Sequence, residues 1–327
     1  MTKIRWGILS TGAIAHTFAE ALQDVEDAEL VAVGSRTKTS ADAFAKKFGI
    51  ASAHASYEAL ANDENVDVIY IATPHVFHKD NTLLCLNAGK HVLCEKPLAL
   101  NRAEVAEMVQ VARDKKLFLM EALWTRFLPH MTKLRELIDE GVLGELRMLQ
   151  ASFGFRMGEV DRDSRLFNPD LGGGSLLDVG VYSVMLSQWL FGAPEEILSF
   201  ATLGQTGVDE EAAFMFRHSE GRISQLSSAI QLEMADSATI MGTKGRIHIP
   251  DWWQPSRLEL TNADKETEIL DIPCELNGYA YEAIEVGRCI REGALESSVA
   301  PHQDSLDIHA TLDALRQQWH LVYPQEA

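Results

Sequence analysis

The sequence predicts an α/β protein in which a doubly wound parallel sheet is followed by an α+β domain on an open, mostly antiparallel sheet. Over the first 121 residues, short apolar runs alternate with helical apolar stripes. After Pro129, strand-like runs follow one another without helices between them. At about 150 residues per domain, 327 residues suggest two domains, with the boundary expected near residue 122, giving 1–122 and 123–327.

The elements follow in order. Residues 4–9 form an apolar run, and Ile14, Phe18 and Leu22 then recur at i, i+4, i+8, the stripe of a buried helix face. Residues 30–33 and 66–72 are further apolar runs, the second broken only by Asp67. The helix after it is expected to end near Gly89, a natural C′ residue. Residues 91–94 make the next strand, Asn101 with Glu104 resembles a capping box, and 117–120 closes the series. Continuous apolar strands separated by helices indicate a parallel sheet covered on both faces. In the second half, Leu134, Leu137 and Ile138 mark a helix, 146–155 a longer strand, and a helix follows the glycines at 172–174. Strands are expected at 197–203, 212–217, 223–232, 238–241, 246–249 and 258–260, with helices near 281–291 and 303–319.

Composition narrows the function. Lys plus Arg is 29 and Asp plus Glu is 48, a net charge of -19. Such a chain repels phosphate polymers and anionic membrane surfaces, so neither nucleic acid nor membrane is an expected partner. A small anionic ligand held by a few local cations stays compatible with it. Cys85, Cys94, Cys274 and Cys289 form no C-x-x-C pair, which fits a reducing compartment. With no apolar run of the ~18 residues a membrane span needs and no signal segment, the expected location is cytoplasmic.

The first strand runs into Gly7-Ile-Leu-Ser10-Thr11-Gly12-Ala13-Ile14-Ala15. A strand-to-helix turn of this kind suits a dinucleotide pyrophosphate, which needs close backbone approach and helix N–H groups aimed at the anion. Gly12 allows the approach and Ala15 allows tight helix packing, while Ser10 stands where the fingerprint's first glycine would be. A Rossmann site selective for NAD carries Asp or Glu about 20 residues further on. This chain has Ser35, Arg36 and Lys38 there instead. A carboxylate would repel a ribose 2′-phosphate, whereas Arg36 can pair with it bidentately. NADP is therefore expected over NAD, with NAD possible.

Ligands of open parallel sheets lie beyond the carboxyl ends of the strands. Those ends read Ala72-Thr73-Pro74-His75-Val-Phe-His78, Cys94-Glu95-Lys96-Pro97 and Glu121-Ala-Leu-Trp124-Thr-Arg126. Thr73, Pro74 and His75 are expected at the nicotinamide ribose, and His78 at a helix start or the ribose. No third ligand cluster accompanies His75 and His78, so no metal is expected. Glu95 and Lys96 follow a buried strand, with Pro97 fixing the lysine close to the nicotinamide. Trp124, Arg126 and Phe155 are candidates for substrate contact.

Asp178 and Tyr182, at i and i+4 after the glycine run, would share a helix face. A tyrosine serves as general base only if its pKa falls from ~10 toward ~7, about 4 kcal/mol. One ammonium ~4 Å away supplies about that much at an effective dielectric near 20. Lys96 could therefore activate Tyr182, leaving Asp178 to orient substrate or the lysine. The remaining patterns carry less. Gly242-Thr-Lys-Gly245 reads as a hairpin turn and Asp209-Glu-Glu211 as a solvated turn. Trp252-Trp253 is expected at a sheet edge or subunit contact, and 172–174 either approaches substrate by its backbone or forms a mobile loop.

Together these motifs resemble the Gfo/Idh/MocA family of NAD(P)-dependent oxidoreductases over nearly the whole chain. Its carriers are the 7–15 turn, 72–78, Glu95-Lys96-Pro97, 172–182, Gly242-Thr-Lys-Gly-Arg-Ile247 and Tyr281-Glu-Ala-Ile. The segments 120–127 and 172–182 are similar to the branch of dimeric dihydrodiol dehydrogenases and NADP-linked D-xylose 1-dehydrogenases. The resemblance implies hydride transfer between the cofactor and a sugar, polyol or dihydrodiol hydroxyl, with Lys96 and Tyr182 as the catalytic pair beside Asp178. Many members carry histidine where Tyr182 stands, and tyrosine matches the dihydrodiol and xylose branch. It also implies a homodimer or homotetramer through the outer face of the second sheet. The alternatives are a glycosidase of the same fold that retains NAD, a non-catalytic nucleotide-binding regulator, and a reductase of a non-sugar carbonyl.

Overall fold

The computed structural model describes residues 3–327. The chain divides into two compact units, one of the residues up to Phe127 with Glu275–Leu306, the other of Leu128–Cys274 with Asp307–Ala327. The chain therefore crosses between units near 127, near 275 and near 306, where a single boundary near 122 was expected. The returning segment joins the first unit because its helix has an apolar face of Ala280, Ala283 and Val286 to bury there.

The first unit holds strands β1 (Ile4–Leu9), β2 (Ala28–Gly34), β3 (Ser52–His54), β4 (Val68–Ile71), β5 (His91–Glu95) and β6 (Leu119–Ala122). They form one parallel sheet in the order β3-β2-β1-β4-β5-β6. Its helices are α1 (Ala13–Leu22), α2 (Lys38–Phe48), α3 (Tyr57–Ala61), α4 (His78–Asn87) and α5 (Arg102–Lys115). Successive strand residues feed opposite cores: Val68 and Tyr70 pack with Phe18 and Phe44, while Ile69 and Ile71 pack with Leu60, Leu86 and Met108. Burial on both faces explains the unbroken apolar runs. Asn101 caps α5 by accepting from Glu104 N–H at 3.0 Å, and Glu104 reaches back to Leu100 N–H at 3.2 Å.

The second unit begins with α6 (Pro129–Asp139), β7 (Leu146–Gly154), a π turn at Leu176–Gly180 and α7 (Val181–Phe191). Then come β8 (Glu196–Leu203), β9 (Asp209–Arg217), β10 (Ile223–Ala229), β11 (Ala238–Gly242), β12 (Gly245–Ile249), β13 (Arg257–Asn262) and β14 (Thr267–Asp271). The sheet order is β14-β13-β12-β11-β7-β10-β9-β8, antiparallel except for the β7–β10 pair. Leu149, Phe214, Phe216, Leu226 and Ile240 are buried on its inner face. Leu198, Phe200 and Met215 stand exposed on the other. Helix α8 (Gly278–Glu292) belongs to the first unit, and the chain passes back into the second within α9 (His302–Trp319).

Asp209-Glu-Glu211, read from sequence as a solvated turn, instead opens β9, and Asp209 is fully buried. The three acidic letters suggested solvent, but the partners that satisfy Asp209 lie more than 30 residues away.

Candidate active site

The carboxyl ends of the parallel strands carry the predicted nucleotide-binding residues. Ser10 follows β1 with φ +94, in the region that favours glycine, and its N–H donates to Gly34 O at 2.9 Å. This is why the fingerprint calls for glycine at that position. Gly12 caps α1 without a side-chain hydrogen bond, and no acidic residue occupies the first turn. A Cβ built on Gly12 would meet nothing within 4 Å. Open space above helix N–H groups that have no side-chain cap fits a dinucleotide pyrophosphate. Thr11, Gly12, Ala13 and Ile14 would hold it there.

At the end of β2, Ser35 is buried and its Oγ lies 3.5 Å from Thr11 Oγ1. Arg36 is exposed beyond it. Lys38 Nζ bonds Ala53 O at 3.2 Å and pairs with Asp42, so its ammonium is engaged within α2 and β3. Arg36 and Lys38 are both exposed cations, and Lys38 is the one tethered by these contacts.

After β4, Thr73 is nearly buried, and its hydroxyl accepts from Asn81 Nδ2 at 3.2 Å. Pro74 leads into a short 3₁₀ turn, His75–Phe77. His78 is fully buried, and its two ring nitrogens lie 2.8 Å from Thr73 O and Pro97 O. It ties the loop after β4 to the loop after β5. Both nitrogens face backbone carbonyls, and His78 is the first residue of α4. Among the described residues, no group of three or more His, Cys, Asp or Glu could hold a metal ion.

The Glu95-Lys96-Pro97 turn is anchored on several sides, and its Lys96–Pro97 bond is cis. Tyr70 OH donates to Glu95 Oε1, and Lys96 N–H donates to Glu95 Oε2 at 3.3 Å. Leu98 N–H donates to Glu121 Oε1 at 2.9 Å, and Ser305 Oγ donates to Glu121 Oε2 at 2.5 Å. Lys96 itself is half-buried. Sequence reasoning missed Glu282 of α8, fully buried with no hydrogen-bond partner for either carboxyl oxygen. Burial and the nearby Glu95 push its carboxyl well above the usual range. Its only sequence signal is a lone acid on the apolar face of α8. Trp124 stacks on Tyr279 with centroids 4.8 Å apart, and Arg126 pairs with Asp304 at 2.5 Å. Both side chains are largely buried in the first unit, where these contacts hold them.

In the second unit, Asp178 lies on the π turn and pairs with Arg165 at 2.7 Å. Tyr182, in the first turn of α7, meets Phe153 edge-on with centroids 5.5 Å apart. Trp253 stacks on Phe153 at 5.1 Å and 7°, completing an aromatic wall. Trp252 is buried and donates Nε1–H to Ser152 O at 2.8 Å. The tryptophans expected at a sheet edge or subunit contact therefore sit on this unit's inner aromatic cluster, with Trp253 behind the Tyr182 wall. Phe155 packs against Leu166, Phe167 and Ile230.

The glycine run is a close approach of backbone to its neighbours. Gly174 has φ +122, and a Cβ there would lie 2.2 Å from Asp209 Oδ1. Asp209 Oδ2 accepts from Ser175 Oγ and from Leu176 N–H, both at 2.7 Å. Burial pushes the Asp209 carboxyl up to about 6 against these bonds. The folded state therefore holds this proton more tightly than the unfolded chain does. Its contribution to stability is complete below the ordinary carboxylate range and is lost as pH rises through 6. The expected loss is about 3 kcal/mol. Asp209→Asn cannot ionise, so its stability relative to the parent should improve by about that amount between pH 4 and 7 in urea unfolding. A difference that stays flat with pH would mean the buried carboxyl does not titrate in this range.

Two family models match, one described as an oxidoreductase family with NAD-binding Rossmann fold over residues 4–123, the other as the GFO/IDH/MocA C-terminal domain over 131–248. The chain belongs to the Gfo/Idh/MocA family. It is 39% identical to trans-1,2-dihydrobenzene-1,2-diol dehydrogenase of Mus musculus and 38% to that of Homo sapiens, covering 99% of this chain and 99% of each relative. Among solved structures, a 3-ketoreductase from Actinomadura kijaniata in complex with NADP and TDP-benzene has TM-score 0.88 at 26% identity, over 97% of this chain and 98% of that one. The same ketoreductase has been solved as a lysine-to-alanine and as a tyrosine-to-phenylalanine variant. An aldose-aldose oxidoreductase from Caulobacter crescentus shares the fold with TM-score 0.89 at 23% identity, covering 96% and 97% of the two chains. This Gfo/Idh/MocA protein is an NAD(P)-dependent dehydrogenase acting on hydroxyl-bearing carbon. No helix among its described residues is long and apolar enough to cross a membrane.

Proposed function

We propose that the enzyme oxidises a sugar, polyol or dihydrodiol hydroxyl with NADP⁺ in preference to NAD⁺, using Lys96 and Tyr182 as its catalytic pair and Asp178 to orient substrate. The observation that carries this reading is the full-length similarity to the dihydrodiol dehydrogenases. The NADP-bound ketoreductase and its lysine and tyrosine variants support the choice of cofactor and of residue types. Arg36, exposed at the end of β2 with no carboxylate there, supports the 2′-phosphate preference.

Bound NADP⁺ supplies the hydride acceptor. Residues 10–14 would hold the pyrophosphate, Ser35 and Arg36 the adenosine ribose, and Ala72, Thr73, Pro74, His75 and Glu95 the nicotinamide side. Tyr182 takes the hydroxyl proton as the substrate C–H bond releases its electron pair. The Lys96 ammonium stabilises the phenolate and the developing alkoxide, which lets a phenol serve as base near neutral pH.

The test is growth of the reduced-nicotinamide band when the full chain meets NADP⁺ or NAD⁺ and a panel of aldoses, inositols and trans-dihydrodiols. Turnover with NADP⁺ and at least one of these is expected. A cofactor that copurifies and never exchanges would favour the glycosidase of the same fold. Binding without turnover across the panel would favour a nucleotide-sensing regulator.

The reading includes a homodimer or homotetramer joined through the second sheet. Phe200 is 85% exposed, Leu198 62% and Met215 47%, and Leu198 faces Met215 across β8 and β9. A contiguous apolar face of this kind is characteristic of an interaction surface. Phe200→Glu should convert the assembly to a smaller species in light scattering, and an unchanged mass would place the interface elsewhere. The four free thiols and the acidic surface support a cytoplasmic enzyme without a nucleic-acid partner.

A further inference from the structure

A polar clamp holds the start of the helix that carries Tyr182. The lead-in is Gly173-Gly-Ser175, followed by the π turn at Leu176–Gly180 and then α7. Asp209 takes both donors at the top of the π turn, Ser175 Oγ and Leu176 N–H. Ser175 Oγ also lies 2.9 Å from Ser228 Oγ, and a Cβ on Gly180 would lie 3.1 Å from that same hydroxyl. Ser228 thus abuts both ends of the π turn. From the other side, Tyr323 OH donates to Gly173 O at 2.6 Å, and Gln325 Nε2 donates to Asp170 O at 2.9 Å. Tyr323 is held in turn by Glu326, which accepts from its N–H at 3.2 Å, and by Arg316, which bonds Glu326 at 3.0 Å and lies over the Tyr323 ring.

We propose that Asp209 and Tyr323 are positioning residues that keep the segment in π register, and so fix the angle between Asp178 and Tyr182. This rests on the reading of Tyr182 as the proton acceptor. The physical reason is the fragility of a π turn. Its i→i+5 bonding carries one residue more than an α-helix needs, and such turns are rare and concentrate at functional sites. Relaxation to α register would absorb that residue and swing Asp178 by roughly 100° about the axis relative to Tyr182. Asp209 opposes this because Leu176 N–H and Ser175 OH would lose a buried acceptor. Tyr323 opposes it because the Gly173 carbonyl would lose its donor.

The experiment measures kcat on the best substrate of the panel and NADP⁺ affinity by fluorescence titration, for full-length Asp209→Ala, Asp209→Asn and Tyr323→Phe, with circular dichroism to establish folding. Asp209→Ala is expected to lower kcat about 100-fold, the scale of a 1 Å misplacement, with NADP⁺ affinity unchanged. Asp209→Asn should recover to within about fivefold of the parent, since its amide oxygen can accept the same two bonds. Tyr323→Phe keeps the ring and should lower kcat about tenfold. The proposal is overturned if folded Asp209→Ala keeps kcat within about twofold, if Asp209→Asn is no better than Asp209→Ala, or if NADP⁺ affinity falls in step with kcat. Should Asp209→Ala fail to fold, Tyr323→Phe decides, and an unchanged kcat there overturns the proposal. The underlying reading fails separately, by a Tyr182→Phe enzyme that still turns over.

Discussion

Tyr182→Phe is expected to lower turnover by about 10²–10⁴-fold, the range assigned to one positioned acid–base group. The substitution removes a single oxygen and leaves the ring edge-on to Phe153, so folding and NADP⁺ affinity should hold. Lys96→Ala should be comparably severe. If the proposed pair forms, an ammonium placed about 4 Å from a phenolate would contribute about 4 kcal/mol at an effective dielectric near 20, roughly a thousandfold in rate. The backbone N–H of residue 96 would still reach Glu95 in that variant, so the turn keeps one of its anchors. The two enzymes are compared by kcat from reduced-nicotinamide absorbance and by cofactor titration. A Tyr182→Phe enzyme retaining more than about a tenth of parental turnover would remove Tyr182 from the chemistry.

Arg36→Ala should weaken NADP⁺ binding by about 10- to 100-fold and leave NAD⁺ within about threefold, since a hydrogen bond to a charged group is worth about 1.5–3 kcal/mol. The selectivity comes from position. Ser35 is buried against Thr11, and Lys38 is engaged by Asp42 and the Ala53 carbonyl, whereas Arg36 extends from the strand end into solvent. Equal losses for the two cofactors would show that Arg36 contributes general attraction and does not read the 2′-phosphate.

What the chain discloses before folding depends on how local the cause is. The parallel strands were legible because burial on both faces writes itself as an unbroken apolar run, as in β4 and β5. The Asn101 cap was legible because donor and acceptor lie three residues apart. Strand β3, of three residues, and helix α3, of five, are too short for any period to emerge. The π turn was invisible because the spacing of Asp178 and Tyr182 suits an ordinary helix, and its clamp comes from Asp209 and Tyr323, far along the chain. Glu282 escaped notice for the same reason, since nothing near it in sequence predicts full burial beside Glu95. Trp253 shows the converse: an aromatic letter is conspicuous, but only the fold reveals that it stacks behind Phe153.

The last residue of β2 sets a rule for anyone redesigning coenzyme choice. A methyl at position 34 would arrive 2.8 Å from Leu60 Cβ and 3.2 Å from the Ser56 carbonyl, nearer than packed atoms tolerate. An acidic graft meant to convert the enzyme to the other dinucleotide has no room at that site, however well it aligns on paper. It must be installed one or two steps further, at 35 or 36, because a shorter side chain at 60 would leave its Cβ and the Ser56 carbonyl in place.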